Sequence, residues 1–277
     1  MKQIKVKCPA KINVFFNIIG LDERNYHLIH SLNTSISLYD YLNIKVTDTN
    51  QIIITCNEPN IPLDEKNSVY KAAKIFLDYT KITTGLEIHI EKHIPTQAGL
   101  GGESTDAAGT ILALNYLFNT NLSEEEQNTL GYKTSCDVPF CLVGGSCEVK
   151  GCGEIVKKSF VPYKYYLVIT PNIGHSTQEM FKLFDQQTKE YKTQYIEIGY
   201  NDFHKVLTQD IKDLIIKVTN KTNAITSMLT GSGSSIIGIY ETEESLDKAY
   251  ETMKKLLDSS YKIENTHTVP GIKLIQS

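Results

Sequence analysis

The stretch Pro95-Thr96-Gln97-Ala98-Gly99-Leu100-Gly101-Gly102-Glu103-Ser104-Thr105-Asp106-Ala107-Ala108-Gly109 joins a strand-like segment to a helix through a loop with almost no side chains. Its glycines let the backbone approach a ligand and turn successive N–H groups inward, and the small residues that follow open a helix whose N-terminus favours anions. That describes a phosphate cradle. An ordinary strand-to-helix turn capped by Ser104 accounts for the same residues. The loop is not a Walker A motif, because no lysine follows its glycines, and not a dinucleotide fingerprint, because Gly99-Leu100-Gly101-Gly102-Glu103-Ser104 lacks the final glycine. Its place in mid-chain, after a run of antiparallel-type strands, also argues against a Rossmann domain.

Four further groups could act with it. Lys11 and Asn13 fall two apart, so they share one strand face and could hold a polar ligand; a snorkelling edge-strand lysine is the commoner explanation. Tyr26-His27 follows a turn over residues 20–25 and could stack on and hydrogen-bond to a planar ring, against the plainer reading of a half-buried aromatic beside a solvated histidine. Pro139 biases Val138 away from the helical region, which sets Asp137 at a helix-to-extended junction where a carboxylate can project into a cleft; an ordinary turn aspartate competes. Thr230-Gly231-Ser232-Gly233 is a second glycine-serine loop, explained equally by a hairpin. Phosphoryl transfer requires mainly positioning and charge stabilisation, for which loop amides, Lys11 and Asp137 are suitable parts.

The elements that must position these groups show in the hydrophobic pattern. Strands are expected over residues 5–19, with Cys8-Pro9-Ala10-Lys11-Ile12-Asn13 as an interruption, and over 31–38, 42–46 and 52–55. Asn67-Ser68 caps a helix to about residue 79, with Val69, Ala72, Ala73, Phe76 and Leu77 at helical spacing. Alternation in Leu86-Glu87-Ile88-His89-Ile90-Glu91 marks the strand feeding the glycine loop, and Ile111, Leu112, Leu114 and Leu117 give the helix after it an apolar face. Ser123-Glu124-Glu125-Glu126 is a capping-box pattern. Strands are expected at 140–143 and 146–149. The pattern breaks near 157–163, where the domain boundary is placed, giving residues 1–158 and 159–277. Beyond it come a strand from Tyr165, a short helix with Met180, Phe181 and Phe184, a polar connection over 185–194, helical packing over 202–219, the strand 236–240, an amphipathic helix from Leu246 and a closing strand at 272–275.

With 277 residues, 41% of them hydrophobic, the chain can bury one large core or two modest ones. The net charge of −4 is spread along the sequence without a basic stripe, so nucleic-acid binding is not expected. No apolar run is long enough to span a bilayer, and the N-terminus leads into a strand rather than a signal segment, so the expectation is a cytoplasmic protein without a membrane partner. Cys136, Cys141, Cys147 and Cys152 are separated by four or five residues, unlike the tighter ligand pairs of structural zinc, and reduced thiols are expected.

In order, Pro9-Ala10-Lys11-Ile12-Asn13, Tyr26-His27, residues 95–108, Asp137-Val138-Pro139 and Thr230-Gly231-Ser232-Gly233 resemble the GHMP small-molecule kinases over nearly the whole chain, with 185–221 contributing little. The resemblance implies a two-domain α+β fold, an N-terminal ribosomal-protein-S5-like domain and a C-terminal ferredoxin-like domain, with ATP and substrate in the cleft between them. It implies that Asp137 takes the proton from the substrate hydroxyl, that Lys11 orients it and offsets charge, and that Asn13 contacts substrate. The branch of the family that is most similar acts on the 2-hydroxyl of a cytidine-diphosphate-linked methylerythritol in non-mevalonate isoprenoid synthesis. In that branch Tyr26 and His27 would meet cytosine, with Phe181 as a second aromatic wall and Thr177 nearby, and Gly231 and Gly233 would line the substrate side. Pro95, Ala98, Gly99, Leu100, Gly101, Gly102, Glu103, Ser104 and Thr105 would hold the ATP phosphates, and Asn67 and Lys92 would lie near adenine. ATP and Mg2+ are the implied cofactors, with no metal ligands assigned, and the implied state is a monomer or weak homodimer. The alternatives are a related kinase of homoserine, mevalonate or a sugar, and a catalytically silent nucleotide-binding regulator on the same fold.

Two departures from the family pattern bear on the site. Where the family has three glycines and then two serines, this chain has Gly101-Gly102-Glu103-Ser104-Thr105, and the Glu103 carboxylate repels phosphates unless it points outward or helps hold magnesium. Where the family reads Arg-x-Asp-Gly-Tyr-His, this chain has Asp22-Glu23-Arg24-Asn25-Tyr26-His27; asparagine tolerates positive φ, so the turn is expected to survive.

Overall fold

A computed structural model describes residues 2–188 and 190–275. Its first half is built on a long antiparallel hairpin, β1 (Gln3–Leu21) with β2 (His27–Thr47). The interruption expected over residues 8–13 is instead continuous strand, with register shifts between Pro9 and Ala10 and between Asn13 and Phe15; at the first, a bulge absorbs a residue that cannot donate to the ladder. The two strands expected over 31–38 and 42–46 are likewise one. β3 (Ile52–Cys56) runs parallel to β4 (Gly85–Glu91), and α1 (Ser68–Thr80) makes the crossover that such a pair needs. The glycine loop follows β4 and leads into α2 (Gly102–Phe118).

After α2 come α3 (Glu124–Thr134), α4 (Val138–Val143), β5 (Ser146–Gly151) and β6 (Ile155–Lys158). The Ser123 capping box forms as expected. Residues 140–143 are helical rather than extended. A run as short as Val138-Pro139-Phe140-Cys141-Leu142-Val143 has no period to separate a buried helix from a strand, and proline in a first turn, where its missing N–H costs nothing, favours the helix.

The second half runs β7 (Tyr165–Pro171), α5 (Thr177–Gln187), a 3-10 turn (Asp202–Val206), α6 (Gln209–Thr222), β8 (Thr226–Leu229), β9 (Ile236–Tyr240), α7 (Glu243–Leu256) and β10 (Tyr261–His267). The helical packing expected over 202–219 is thus divided between the 3-10 turn and α6. The sheet order β10-β7-β9-β8, antiparallel throughout, is the ferredoxin-like βαββαβ arrangement. The last described strand, β11 (Lys273–Ile275), pairs with β1 and so returns to the first sheet.

One core lies between the first sheet and α1–α2, around Phe76, Leu86, Ala107, Ile111 and Leu114. Another lies beneath α5, α6 and α7, around Ile169, Phe184, Leu214 and Met253. A third cluster joins the halves: Ile12, Val14, Phe15 and Leu100 pack with Val168, Met228 and Ile237. Each fully buried aliphatic or aromatic side chain in that seam contributes about 2 kcal/mol. The seam fixes the spacing of the loops that meet above it.

Candidate active site

A cleft of about 960 Å³ opens between the halves and is lined from both. The glycine loop forms one wall. α2 starts at Gly102 with Gly101 in the left-handed region at its N-cap, so Ser104 is the third helical residue and not the cap. The first intrahelical bond is Thr105 N–H to Gly101 O, at 2.9 Å, which leaves the N–H groups of Gly102, Glu103 and Ser104 without partners along the helix, at the cleft. Glycine is required here for two reasons. Gly99 and Gly101 have φ of +74° and +66°, and a Cβ would lie 2.2 Å from Thr230 O at Gly99 and 2.7 Å from Lys11 Cγ at Gly101.

Lys11, on β1, stands against this wall. Its backbone N–H donates to Leu100 O at 2.9 Å. Its ammonium donates to Asn13 Oδ1 at 2.9 Å and lies 3.3 Å from Asp137 Oδ2. The side chain of Lys11 is 6% exposed and that of Asp137 39%. Asp137 sits at the N-cap of α4, between α3 and α4, held there by the turn that Pro139 helps to start. Asn13 Nδ2 donates to Ser31 Oγ at 2.8 Å and Asn33 Oδ1 at 2.7 Å, so both amide hydrogens are used inside the protein and only a lone pair of Oδ1 is left for a ligand. Its backbone N–H donates to Thr230 Oγ1, tying β1 to the second glycine loop.

An aromatic wall closes another side. Asn25 takes φ of 63°, as the missing glycine requires, and Asp22 Oδ1 accepts the N–H groups of Arg24 and Tyr26 at 2.8 and 2.9 Å. The Tyr26 N–H bond, then the Arg24 side chain, hold the Asp22 carboxyl below its usual pKa. The turn presents Tyr26 exposed at 57%, with the Arg24 guanidinium 5.2 Å from its ring centre. His27 crosses the cleft: its ring stacks on Phe181 of α5 at 4.2 Å and 20°, and its Nε2 lies 2.9 Å from Asp185 Oδ1. Thr177 Oγ1 lies 2.9 Å from Ser232 Oγ, joining the start of α5 to the second glycine loop.

The chain matches the model for the GHMP kinases N terminal domain over residues 67–145 and that for the GHMP kinases C terminal over residues 190–259. It is 36% identical over 274 residues to the 4-diphosphocytidyl-2-C-methyl-D-erythritol kinase of Clostridium botulinum (strain Eklund 17B / Type B), covering 91% of this chain and 96% of that one. The chain belongs to the GHMP kinase family. The same enzyme name is carried by a Clostridium tetani relative, 34% identical over 278 residues, with 93% and 98% of the two chains covered. Among solved structures, a 4-(cytidine 5'-diphospho)-2C-methyl-D-erythritol kinase aligns with a TM-score of 0.79 at 24% identity, covering 96% of this chain and 99% of that one. A homoserine kinase from Cytophaga hutchinsonii aligns with a TM-score of 0.78 at 19% identity, covering 99% and 98%. The near-equal scores show that backbone shape is shared by kinases named for unlike alcohols, so side chains must choose the acceptor.

Within this GHMP kinase the structure gathers most of the residues expected from sequence. Lys11, Asn13, Tyr26, His27, Phe181, Thr177 and Gly231 line one cleft with Lys92, Pro95 and residues 98–104. Thr105, Gly233 and Asn67 are not among its lining residues. Thr105 is buried, and Gly233 packs near His175 and Leu229. Asn67 caps α1, its Oδ1 accepting Val69 N–H at 2.8 Å while Nδ2 donates to Pro62 O at 2.7 Å. Lys92 reaches the cleft, but its ammonium is tethered to Asp40 and, at 2.9 Å, to Asp106. Asp40 Oδ1 also accepts His93 N–H at 2.6 Å and Ile94 N–H at 2.8 Å, so the triad ties both ends of the glycine loop to β2.

Burial opposes the Lys92 charge, but the Asp106 and Asp40 carboxylates outweigh it and hold its pKa above the ordinary value. Burial pushes Asp106 up to about 7, against the pull of Lys92. The sequence carried a signal for this triad, since Asp106 interrupts an otherwise small and apolar helix face. Nothing marked Asp185, whose role depends on a residue 158 positions away. Glu103 is exposed at the rim, and among the described residues its carboxylate makes no ion pair or hydrogen bond. All six cysteines are free thiols, and no described helix is long and apolar enough to cross a membrane.

Proposed function

We propose that this kinase transfers the γ-phosphoryl group of ATP to the 2-hydroxyl of 4-diphosphocytidyl-2-C-methyl-D-erythritol. The observation that carries this reading is the meeting, in one cleft, of the Lys11–Asp137 pair beside the glycine loop with an aromatic wall of Tyr26, His27 and Phe181. An acceptor without a base has no evident need for that wall. The names of the sequence relatives support the same substrate.

Asp137 accepts the hydroxyl proton as the acceptor oxygen bonds to phosphorus and the bond from phosphorus to the β–γ bridging oxygen breaks, releasing ADP. Lys11 keeps the carboxylate aimed and offsets its charge. The free N–H groups at the start of α2 face the charge that gathers on the moving phosphoryl group. Magnesium, which is held mostly by nucleotide phosphates and one or two carboxylates, fits the unpaired Glu103 carboxylate at the loop rim. When bound it supplies neutralisation of phosphate charge. On this reading the adenine side lies near Lys92, whose ammonium stays with Asp40 and Asp106, while Asn67 acts only through the α1 cap. The enzyme acts in the cytoplasm as a monomer or weak homodimer, with small molecules as its partners and residues 1–158 and 159–277 as its two domains, β11 of the second completing the sheet of the first.

The experiment is a panel of acceptors assayed for ADP release with ATP and magnesium: the cytidine-linked compound beside homoserine and mevalonate. The reading expects turnover with the first and little with the others. A preference for either of the others overturns it.

A further inference from the structure

Asn201 and Asp202 follow a polar stretch with no motif of its own, yet each is 2% exposed. Asn201 Nδ2 donates to Leu229 O and to Gly231 O, both at 2.9 Å, and its Oδ1 accepts Phe203 N–H at 2.9 Å. The two carbonyls flank Thr230, whose hydroxyl accepts the Asn13 N–H. Asp202 grips the other side: Oδ2 accepts Ile18 N–H and Asn17 Nδ2, both at 2.7 Å, while Oδ1 accepts the Tyr200 hydroxyl at 2.7 Å and the Lys205 ammonium at 2.6 Å. The backbone around them also clasps β1, through Phe16 N–H to Tyr200 O at 2.9 Å and Gly199 N–H to Val14 O at 3.0 Å. One dipeptide therefore holds β1 on one side and the second glycine loop on the other.

The chemistry at position 201 is narrow. Two hydrogens on one nitrogen and an acceptor beside it describe a carboxamide; a carboxylate of the same shape would face two carbonyl oxygens with no hydrogen to offer. The loop that it holds has little freedom. A Cβ at Gly231 would lie 3.2 Å from both Asn13 Oδ1 and Gly99 O, and one at Gly99 would lie 2.2 Å from Thr230 O. Displacing residues 229–231 thus displaces Gly99 in the phosphate loop and Asn13, the partner of Lys11.

We propose that Asn201 is a positioning residue for phosphoryl transfer, its carboxamide setting the turn at Leu229–Gly231 and, through it, the separation between Lys11–Asn13 and the glycine loop. The inference concerns the cleft of the kinase and rests on the proposed acceptor only for its kinetic readout. A misplacement of reacting groups by 1 Å costs about 100-fold in rate.

The test compares Asn201→Ala and Asn201→Asp with the wild type in two measurements. In 15N-labelled protein the Gly99 and Gly231 amide resonances are expected to shift in both variants while those of α7 stay in place. In steady-state assays kcat is expected to fall about 10- to 100-fold, more for Asn201→Asp than for Asn201→Ala, with KM for ATP within about threefold of wild type. Gly99 resonances that do not move, or folded variants with wild-type kcat whatever their thermal midpoint, overturn the proposal. A wild type inactive on the cytidine-linked compound condemns the acceptor assignment instead, and the resonance shifts still decide the role of Asn201.

Discussion

Lys11 Nζ lies 3.3 Å from Asp137 Oδ2, while its bond to Asn13 Oδ1 is 2.9 Å. Charge-assisted hydrogen bonds between ammonium and carboxylate usually close to about 2.7–2.9 Å, so this pair attracts without being locked. Asp137 keeps acceptor capacity for an incoming proton, and Asn13, fixed by Ser31 and Asn33, holds the lysine in place.

Replacing Asp137 with Asn removes the proton acceptor and keeps the shape. We expect kcat to fall by about 10²–10⁴, the range of general-base contributions, with nucleotide affinity within about threefold. Steady-state rates beside nucleotide titration check this. A variant retaining more than about a tenth of the wild-type rate would remove Asp137 from the reaction.

Gly101→Ala tests the close approach of loop and lysine. The added Cβ meets Lys11 Cγ at 2.7 Å in a left-handed conformation that alone costs about 1–2 kcal/mol. We expect a lower thermal midpoint and a larger loss in kcat than in stability, because the lysine must move. Unchanged kcat in the folded variant would contradict the contact.

Phe181→Ala and His27→Ala should act on the acceptor alone. Loss of an aromatic partner worth about 0.5–1.5 kcal/mol beyond its buried area raises KM for the cytidine-linked substrate by about tenfold. KM for ATP should not change. Equal effects on both substrates would mean that the wall supports the cleft in general and does not recognise a base.

The triad under the loop gives a pH signature. Burial raises the folded pKa of Asp106 to about 7 from its ordinary 3.8. The native state therefore holds a proton that the unfolded chain releases, and this contribution to stability is full below the ordinary value and is lost as pH rises towards 7. Urea melts of wild type and Asp106→Asn across that window should converge or diverge accordingly: wild type loses stability relative to the variant between about pH 4 and 7, then runs parallel to it. Parallel curves throughout would contradict the assignment. Lys92→Met, which leaves two buried carboxylates unpaired, should cost about 3–5 kcal/mol.

Some of this molecule was legible in its sequence because local chemistry carried it. The glycine loop, the Asn67 and Ser123 caps and the amphipathic α7 depend on neighbours within a few residues, and the structure has them as expected. Asn25 could be read as a positive-φ substitute for glycine for the same reason. Residues 140–143 are helical where a strand is expected, because a buried run of that length has no period. The polar residues of 8–13 look like a break in sequence because nothing local shows that a bulged hairpin buries them. Asn201 and Asp185 carried no local signal at all, since each takes its role from partners that only the folded chain brings near.

A phosphate loop and a base-recognising wall meet in one kinase, and product analysis reads what that pairing does. Wild-type protein, ATP, magnesium and 4-diphosphocytidyl-2-C-methyl-D-erythritol would be incubated together and the products followed by phosphorus NMR and mass spectrometry. ADP and one new phosphomonoester on the methylerythritol 2-hydroxyl are expected, formed in equal amounts. An unaltered cytidine compound, or ADP formed without that phosphomonoester, would contradict it.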